Sequence, residues 1–488
     1  MDQIYSSSVL TIAAASGDNA DAGLPGMSAG PRSFQRHIDN VQGLYFANLP
    51  RRFDSTISES VWNSRAWTLQ EKVSSPRVLY FSAQRCFFTC HHSQVSFLES
   101  DDTIENGLER TKWSGNLSDA NVNLIPTTHI VNIITYRRVV QTYTSRHLTF
   151  SSDILLAFKA HEARFHPLFR SDFLFGLPRS ELDSQLLWQP GGPLKRRRDP
   201  RTNLPSFPTW SWAGWVGKAN CNDDENLSRI EWIEADGTRF SNQDFRYPAG
   251  ANADVYKRLG YRNQWGGALQ QGVPYYMEKS RPERYFFHLT APEEERMLGP
   301  NLKAGTNHLV FAAETTSALK VEFGHYWAMS VYNHKCTGCD DAEKDGHVVC
   351  PPIIPDKDDF VAGYVIVPAE LSTKMKEDDD EGRYELIRIS RTKPREQTER
   401  GEEDPDLLVD EEAVTMEKTS FPDRPDVEKS KHSCACDQRR FDVSKPWCLY
   451  NVMLVEWEAQ VAYRMGLGTV HIDAWAQAKP REKIITLG

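Results

Sequence analysis

Asn63-Ser64-Arg65-Ala66-Trp67-Thr68-Leu69-Gln70-Glu71 is the stretch on which the reading of this chain turns. Trp62, Ala66, Leu69 and Val73, within and around it, recur at helical spacing, which lines them up as one apolar stripe. The spacing predicts an α-helix over 64–73 with Trp62, Ala66 and Leu69 turned inward. Asn63 or Ser64 can cap its first turn by accepting from backbone N–H groups that lack an intrahelical partner, and Pro76 stops it soon after its last turn. Trp67 and Glu71 stand four apart, on one face beside the stripe. Arg77 to Phe81 and Arg85 to Cys90 then read as two short strands rich in β-branched and aromatic residues. The expectation is a helix leading into a hairpin. For Arg65 and Glu71, the plainest role is a surface ion pair on a solvated helix face.

The same run resembles the closing motif of the fungal heterokaryon-incompatibility (HET) domain, an Arg-x-Trp-Thr-x-Gln-Glu pattern. Ile4-Tyr5, Leu10-Thr11-Ile12-Ala13-Ala14 and Gly23-Leu24-Pro25 resemble the family's segment before that motif, and Ser75 to Phe81 resembles the family's segment after it. The family's domain opens with an aromatic strand ending in Trp-Gly and a Trp-Ile-Asp-x-x-Cys-Ile-Gln block. Neither occurs in this sequence, so the expectation is a copy truncated on its N-terminal side. The resemblance implies kinship with the Toll/interleukin-receptor-like α/β fold. Domains of that fold that cleave nicotinamide dinucleotides carry a glutamate four residues after a helical tryptophan, and Trp67 with Glu71 looks like that arrangement, with Arg65 beside it. A carboxylate against an aromatic ring stabilises a positively charged ribosyl transition state. Such a site also needs first-strand loops to hold the dinucleotide, and no Gly-rich phosphate turn substitutes for them here. The family implies non-self recognition, vegetative incompatibility and programmed cell death on fusion of unlike cells. The expected function is therefore that of a non-catalytic or inactive HET protein with protein partners and no cofactor. A dinucleotide-cleaving enzyme using Glu71, Trp67 and Arg65 is the alternative.

Composition narrows the remaining classes. The chain has 488 residues, enough for two or three domains, with 40% hydrophobic and 25% charged residues, ordinary for a globular protein. A formal net charge of −10 disfavours non-specific binding to nucleic acid or anionic membranes. No uninterrupted apolar run approaches ~18 residues, so no membrane span is expected, and Met1-Asp2-Gln3-Ile4-Tyr5 lacks the features of a secretory signal. The nine cysteines are an odd number without disulfide-framework spacing, which fits reduced thiols and a cytoplasmic location.

Along the chain the patterns divide into a HET remnant over 1–95, a helical connecting region with a Trp-rich strand over 96–220, and a β-rich region over 221–488. The expected fold class is α+β. Apolar residues between His129 and His161 suggest two helices around a turn near Ser151-Ser152. Phe173 to Pro178, Leu186-Leu187-Trp188 and Pro208-Thr209-Trp210-Ser211-Trp212-Ala213-Gly214-Trp215 resemble the region after the domain in large HET proteins. Trp210 and Trp212 are expected to alternate on one face of a buried strand. Further strands are expected at Tyr285–Leu289, Leu309–Ala312, Leu319–Phe323, Tyr326–Met329, Phe360–Pro368 and Tyr384–Ser390, with a hairpin of Asn451–Trp457 and Val461–Met465. Thr392 to His432, acidic and poor in aromatics, is expected to be a disordered loop between paired flanks.

Other motifs carry weaker chemistry. Gly26-Met27-Ser28-Ala29-Gly30 matches a nucleophile elbow, but Pro25 and Pro31 flank it in place of the strand and helix an elbow requires. Cys336, Cys339, His347 and Cys350 could close a structural zinc tetrahedron, which would make the chain a zinc-stabilised interaction module; the spacing fits no common finger, and no metal is assigned. Cys434-Ala435-Cys436 is a poorer ligand pair, and Cys86 and Cys90 read as buried small residues. Lys195-Arg196-Arg197-Arg198 reads as a solvated loop or a nuclear-localisation patch.

Overall fold

The computed structural model describes residues 2–27, 37–48, 51, 53–90, 97–98, 133–169, 171–221, 226–241, 299–322, 352–377, 383–392, 395–396, 432–433, 436–445 and 447–488. Helix α1 (Asp2–Ser6) leads into β1 (Thr11–Ala14). A hairpin of β2 (Ile38–Val41) and β3 (Leu44–Ala47) comes next, then α2 (Phe53–Ser58), α3 (Val61–Ser64) and α4 (Ala66–Ser74). Strands β4 (Arg77–Phe81), β5 (Cys86–Cys90) and β6 (Phe97–Leu98) complete a sheet of order β1-β4-β5-β6, in which β1 and β4 run parallel.

The expected hairpin is there as β4 and β5, and Trp62, Ala66, Leu69 and Val73 are all buried. The single helix is not. At Arg65 the backbone turns extended (φ −86°, ψ 136°) and divides it into α3 and α4. The cause is a long-range pairing: Arg65 bridges His147, with His147 N donating to Ser64 O at 2.7 Å and Ala66 N to His147 O at 2.9 Å. The cap shifts as well. Ser60 Oγ, rather than Asn63 or Ser64, accepts from Asn63 N at 3.1 Å.

Two helices around a turn are present as expected, α5 (Ile133–Thr144) and α6 (Lys159–Phe169), although α6 starts later than Ser152 because Ser151–Ile154 forms a tight turn of its own. Next comes the tight hairpin of β7 (Phe173–Leu174) and β8 (Leu177–Pro178). Its turn residues Phe175 and Gly176 have φ of 48° and 85°, the paired positive values of a type I′ turn. A Cβ on Gly176 would stand 2.3 Å from Trp212 Cζ2. Gly176→Ala is therefore expected to cost about 2 kcal/mol through strain and overpacking; chemical denaturation giving a loss under about 0.5 kcal/mol would contradict this.

Short elements then frame the tryptophans: α7 (Leu182–Gln185), β9 (Trp188–Pro190), β10 (Lys195–Arg196), β11 (Trp215–Val216) and β12 (Ala219–Cys221). Trp210 and Trp212 are buried as expected, but not on a strand. Trp212–Gly214 is a tight helical turn whose cap, Ser211 Oγ, accepts from Ala213 N at 2.9 Å. The indoles dictate this path, because a buried indole N–H needs an acceptor. Trp188 Nε1 donates to Trp210 O at 2.8 Å, Trp210 Nε1 to Asn307 O at 3.2 Å and Trp215 Nε1 to Thr209 O at 3.0 Å. The basic run is corrected in part, for Lys195 and Arg198 are exposed as expected but Arg196 and Arg197 are not. Arg197 is buried and donates to Ala213 O, Trp215 O and Ser151 Oγ at 2.9, 2.8 and 2.7 Å. Arg196 lies 5.1 Å over the Trp215 ring. These cations tie backbone carbonyls together instead of facing solvent.

The C-terminal region is built from β13 (Asn226–Ser228), β14 (Glu231–Ile233), β15 (Arg239–Phe240), β16 (Leu309–Thr316), β17 (Ile353–Pro355), β18 (Val361–Ile366), α8 (Ala369–Glu377) and β19 (Tyr384–Thr392). A short pair, β20 (Arg395–Glu396) with β21 (His432–Ser433), comes next. The chain ends with β22 (Leu449–Glu458), β23 (Val461–His471), α9 (Ile472–Gln477) and β24 (Arg481–Leu487). Strands β16, β19, β22, β23 and β24 pair in sequence, and β24 pairs back to β16, so the five close into a barrel. Its seam is the single parallel pair Ala462↔Leu487 between β23 and β24.

Period-two alternation sorts the side chains of this barrel. Phe311, Ile387, Met453, Val455, Leu467 and Ile485 join one core, shared with the tryptophans and with Leu69 of α4. Leu386, Val452, Leu454, Met465 and Val470 join a second core, which Met375 of α8 and Trp475 of α9 cover. Tyr384–Ser390 and Asn451–Trp457 are neighbours in one sheet, as their alternation predicted. Two readings change. Leu319 to Val321 is not a strand, and only Glu322 bridges, to Ile353. The ends of the acidic stretch are ordered, Thr392 within β19 and Arg395-Glu396 against His432-Ser433; residues 397–431 lie outside the described residues. So do Tyr285–Leu289, Tyr326–Met329 and the segment with Cys336, Cys339, His347 and Cys350. The fold is α+β. Among the described residues, no helix is long and apolar enough to cross a membrane.

Candidate functional site around Glu71

Helix α4 stands between two cores. Trp62, at its N-terminal side, packs with Phe53, Tyr80 and Phe87, its ring 5.6 Å from that of Tyr80 and nearly perpendicular to it. Ala66, Leu69 and Val73 face the large core with Tyr136 and Tyr143, and Trp67 packs half-buried against that same core. The indole that reaches Glu71 is therefore that of Trp62, whose Nε1 donates to Glu71 Oε2 at 3.3 Å.

The carboxylate has two further neighbours. The Tyr5 hydroxyl of α1 hydrogen-bonds to it, and the exposed Arg65 acts on it through its charge. Burial raises the Glu71 pKa, against the lowering pull of the Trp62 and Tyr5 hydrogen bonds and of Arg65. Burial and the Glu71 charge likewise raise Tyr5. Chemically, this is a half-buried acid tied to two aromatic donors.

Its place in the sheet matters more. Ser75 Oγ donates to Glu71 O at 2.7 Å and meets Thr11 Oγ1, on the first residue of β1, at 2.6 Å. Glu71 thus lies toward the amino-terminal ends of the parallel strands β1 and β4. Ligands of open parallel sheets sit beyond the carboxyl ends. A cleft of about 240 Å³ opens there, lined by Ser16, Asp18, Arg51, Glu59 and Gln84 among others. Arg65, Trp67 and Glu71 line neither that cleft nor a larger one of about 730 Å³ beside the barrel.

Sequence reasoning missed the residue that holds this run in place. Arg146, just past α5, donates through Nη2 to Asn63 Oδ1 at 2.7 Å and through Nη1 to Thr68 Oγ1 and Arg65 O at 3.1 and 3.2 Å. Burial lowers its pKa to about 10. Nothing local marks such an arginine, since its partners lie about eighty residues earlier in the chain. Among the described residues, no group of His, Cys, Asp and Glu could hold a metal ion. Ser28, the centre of the elbow-like motif, lies outside the described residues.

Residues 1–71 match the family model of the heterokaryon incompatibility protein (HET). The HET match spans α1 through the first part of α4 and takes in Tyr5, Trp62, Arg65, Trp67 and Glu71. The clamp Arg146 and the whole barrel lie outside it. No curated protein and no solved structure matches the chain.

Proposed function

We propose that this chain is a non-catalytic HET protein of fungal non-self recognition, acting in the cytoplasm through protein partners in vegetative incompatibility and the programmed cell death that accompanies it. The observation that carries the proposal is the setting of Glu71 within the HET-matched segment. Glycosidic cleavage of a dinucleotide requires a carboxylate facing a pocket that positions the ribose within reach. Here the carboxylate is hydrogen-bonded to Trp62 and Tyr5 and lines neither cleft. Those bonds join α1, α3 and α4, a structural role. Incubating the purified protein with NAD is expected to release no nicotinamide by chromatography, and Glu71→Ala is expected to change neither NAD level nor cell viability. Release of nicotinamide that Glu71→Ala abolishes without unfolding the protein would replace this reading with the enzymatic one.

A further inference from the structure

We propose that the cleft bounded by Lys303, Glu385, Trp457 and Lys483 binds a small organic anion bearing a flat apolar group. Its volume of about 730 Å³ falls within the ~300–1,000 Å³ typical of small-molecule sites. The wall is preorganised. Glu385 of β19 is buried, with 7% exposure, and its carboxylate accepts from Thr315 Oγ1 at 2.8 Å, from Trp457 Nε1 at 2.9 Å, and from Lys483 Nζ at 2.8 and 2.9 Å. This network stations the Lys483 ammonium 5.9 Å from the centre of the Trp457 ring. A cation and an indole are thereby presented in one fixed geometry, which reduces the ordering cost of binding.

The remaining lining sets the ligand's chemistry. Glu385 is the sole carboxylate among the described lining residues, and Lys483 already neutralises it. Lys303 adds an exposed ammonium, leaving the cleft net positive. His308 stays neutral near pH 7, because burial and the Lys303 charge lower its pKa; it contributes a hydrogen-bonding ring. Ile484, 59% exposed, adds apolar surface to the lining. A purely apolar ligand would desolvate Lys303 without pairing it, and an inorganic anion would leave Ile484 uncovered. A flat ring with one anionic group satisfies both.

Calorimetric titration of the full chain with 2-naphthoate tests the proposal, with uncharged 2-naphthamide as the comparison. Saturable binding at one per chain is expected, about tenfold weaker for the amide. Lys303→Glu and Ile484→Asp, both replacing exposed side chains outside the Glu385 network, are each expected to weaken 2-naphthoate binding about tenfold. Absence of saturable binding, equal affinity for the amide, or unchanged affinity in both variants would each overturn it.

Discussion

Between pH 6.5 and pH 4, the protein is expected to lose about 3 kcal/mol of stability that a His161→Leu variant keeps. His161 is fully buried. Its ring lies 6.2 Å from that of Tyr143 and 5.2 Å from that of Phe158, and neither ring nitrogen has a hydrogen-bond partner among the described residues. Burial first, then the charges of Arg164 and Arg146, lower its pKa to about 3. An unfolded histidine titrates near pH ~6.5, so over this window the unfolded chain binds a proton that the fold refuses. Stability from this group is complete above pH ~6.5 and is lost as pH falls toward the folded pKa. At ~1.36 kcal/mol per pH unit, the window to pH 4 corresponds to about 3 kcal/mol. Leucine removes the titration and nearly conserves volume. Urea unfolding of both proteins at pH 7 and pH 4 measures the difference, and equal acid losses would refute the assignment.

Arg464→Met is expected to cost about 3–5 kcal/mol. Arg464, on β23, is fully enclosed, and burial lowers its pKa to about 9. Its guanidinium donates to Leu186 O at 2.7 Å and to Trp188 O, and it lies 4.1 Å over the Trp188 ring. Methionine fills similar space but leaves both carbonyls buried without a donor, and a bond from a charged donor contributes ~1.5–3 kcal/mol. The loss falls where the barrel meets the tryptophan block. Arg464 N also donates to Thr209 Oγ1 at 2.9 Å, and Thr209 holds Gly488 O in turn. Chemical denaturation should show the midpoint moving strongly, with trypsin cutting the variant faster under native conditions. A loss below about 1 kcal/mol would mean that the two carbonyls find other donors.

The range over which each cause acts decides how much of the fold was legible. The Ala66-Leu69-Val73 stripe, the β4–β5 hairpin and the β19–β22 pair were readable because their signals are local periodicities of 3.6 and 2, whereas Trp62, buried as expected, packs into a different core. The break at Arg65 was not, because His147 and Arg146 impose it from about eighty residues away. Burial of Trp210 and Trp212 was readable from residue type, but their conformation was not, since the carbonyls that accept their indole N–H groups come from the fold. The indole that hydrogen-bonds to Glu71 was not readable for the same reason. Trp67 and Glu71 keep their four-residue spacing within α4, but the donor is Trp62, from the other side of the bend at Arg65.

By itself, the sequence determined the HET-like run with its residue types, the helices and strands of strong period, and the apolar residues that must leave water. Only the tertiary structure decided which strands close the barrel, where the buried arginines and His161 lie, and that Glu71 is fastened to Tyr5 and Trp62 away from both clefts. The division is physical. Hydrophobic periodicity acts within a few residues, whereas buried charges and indoles must find acceptors anywhere in the chain, and their position emerges only once distant segments have packed.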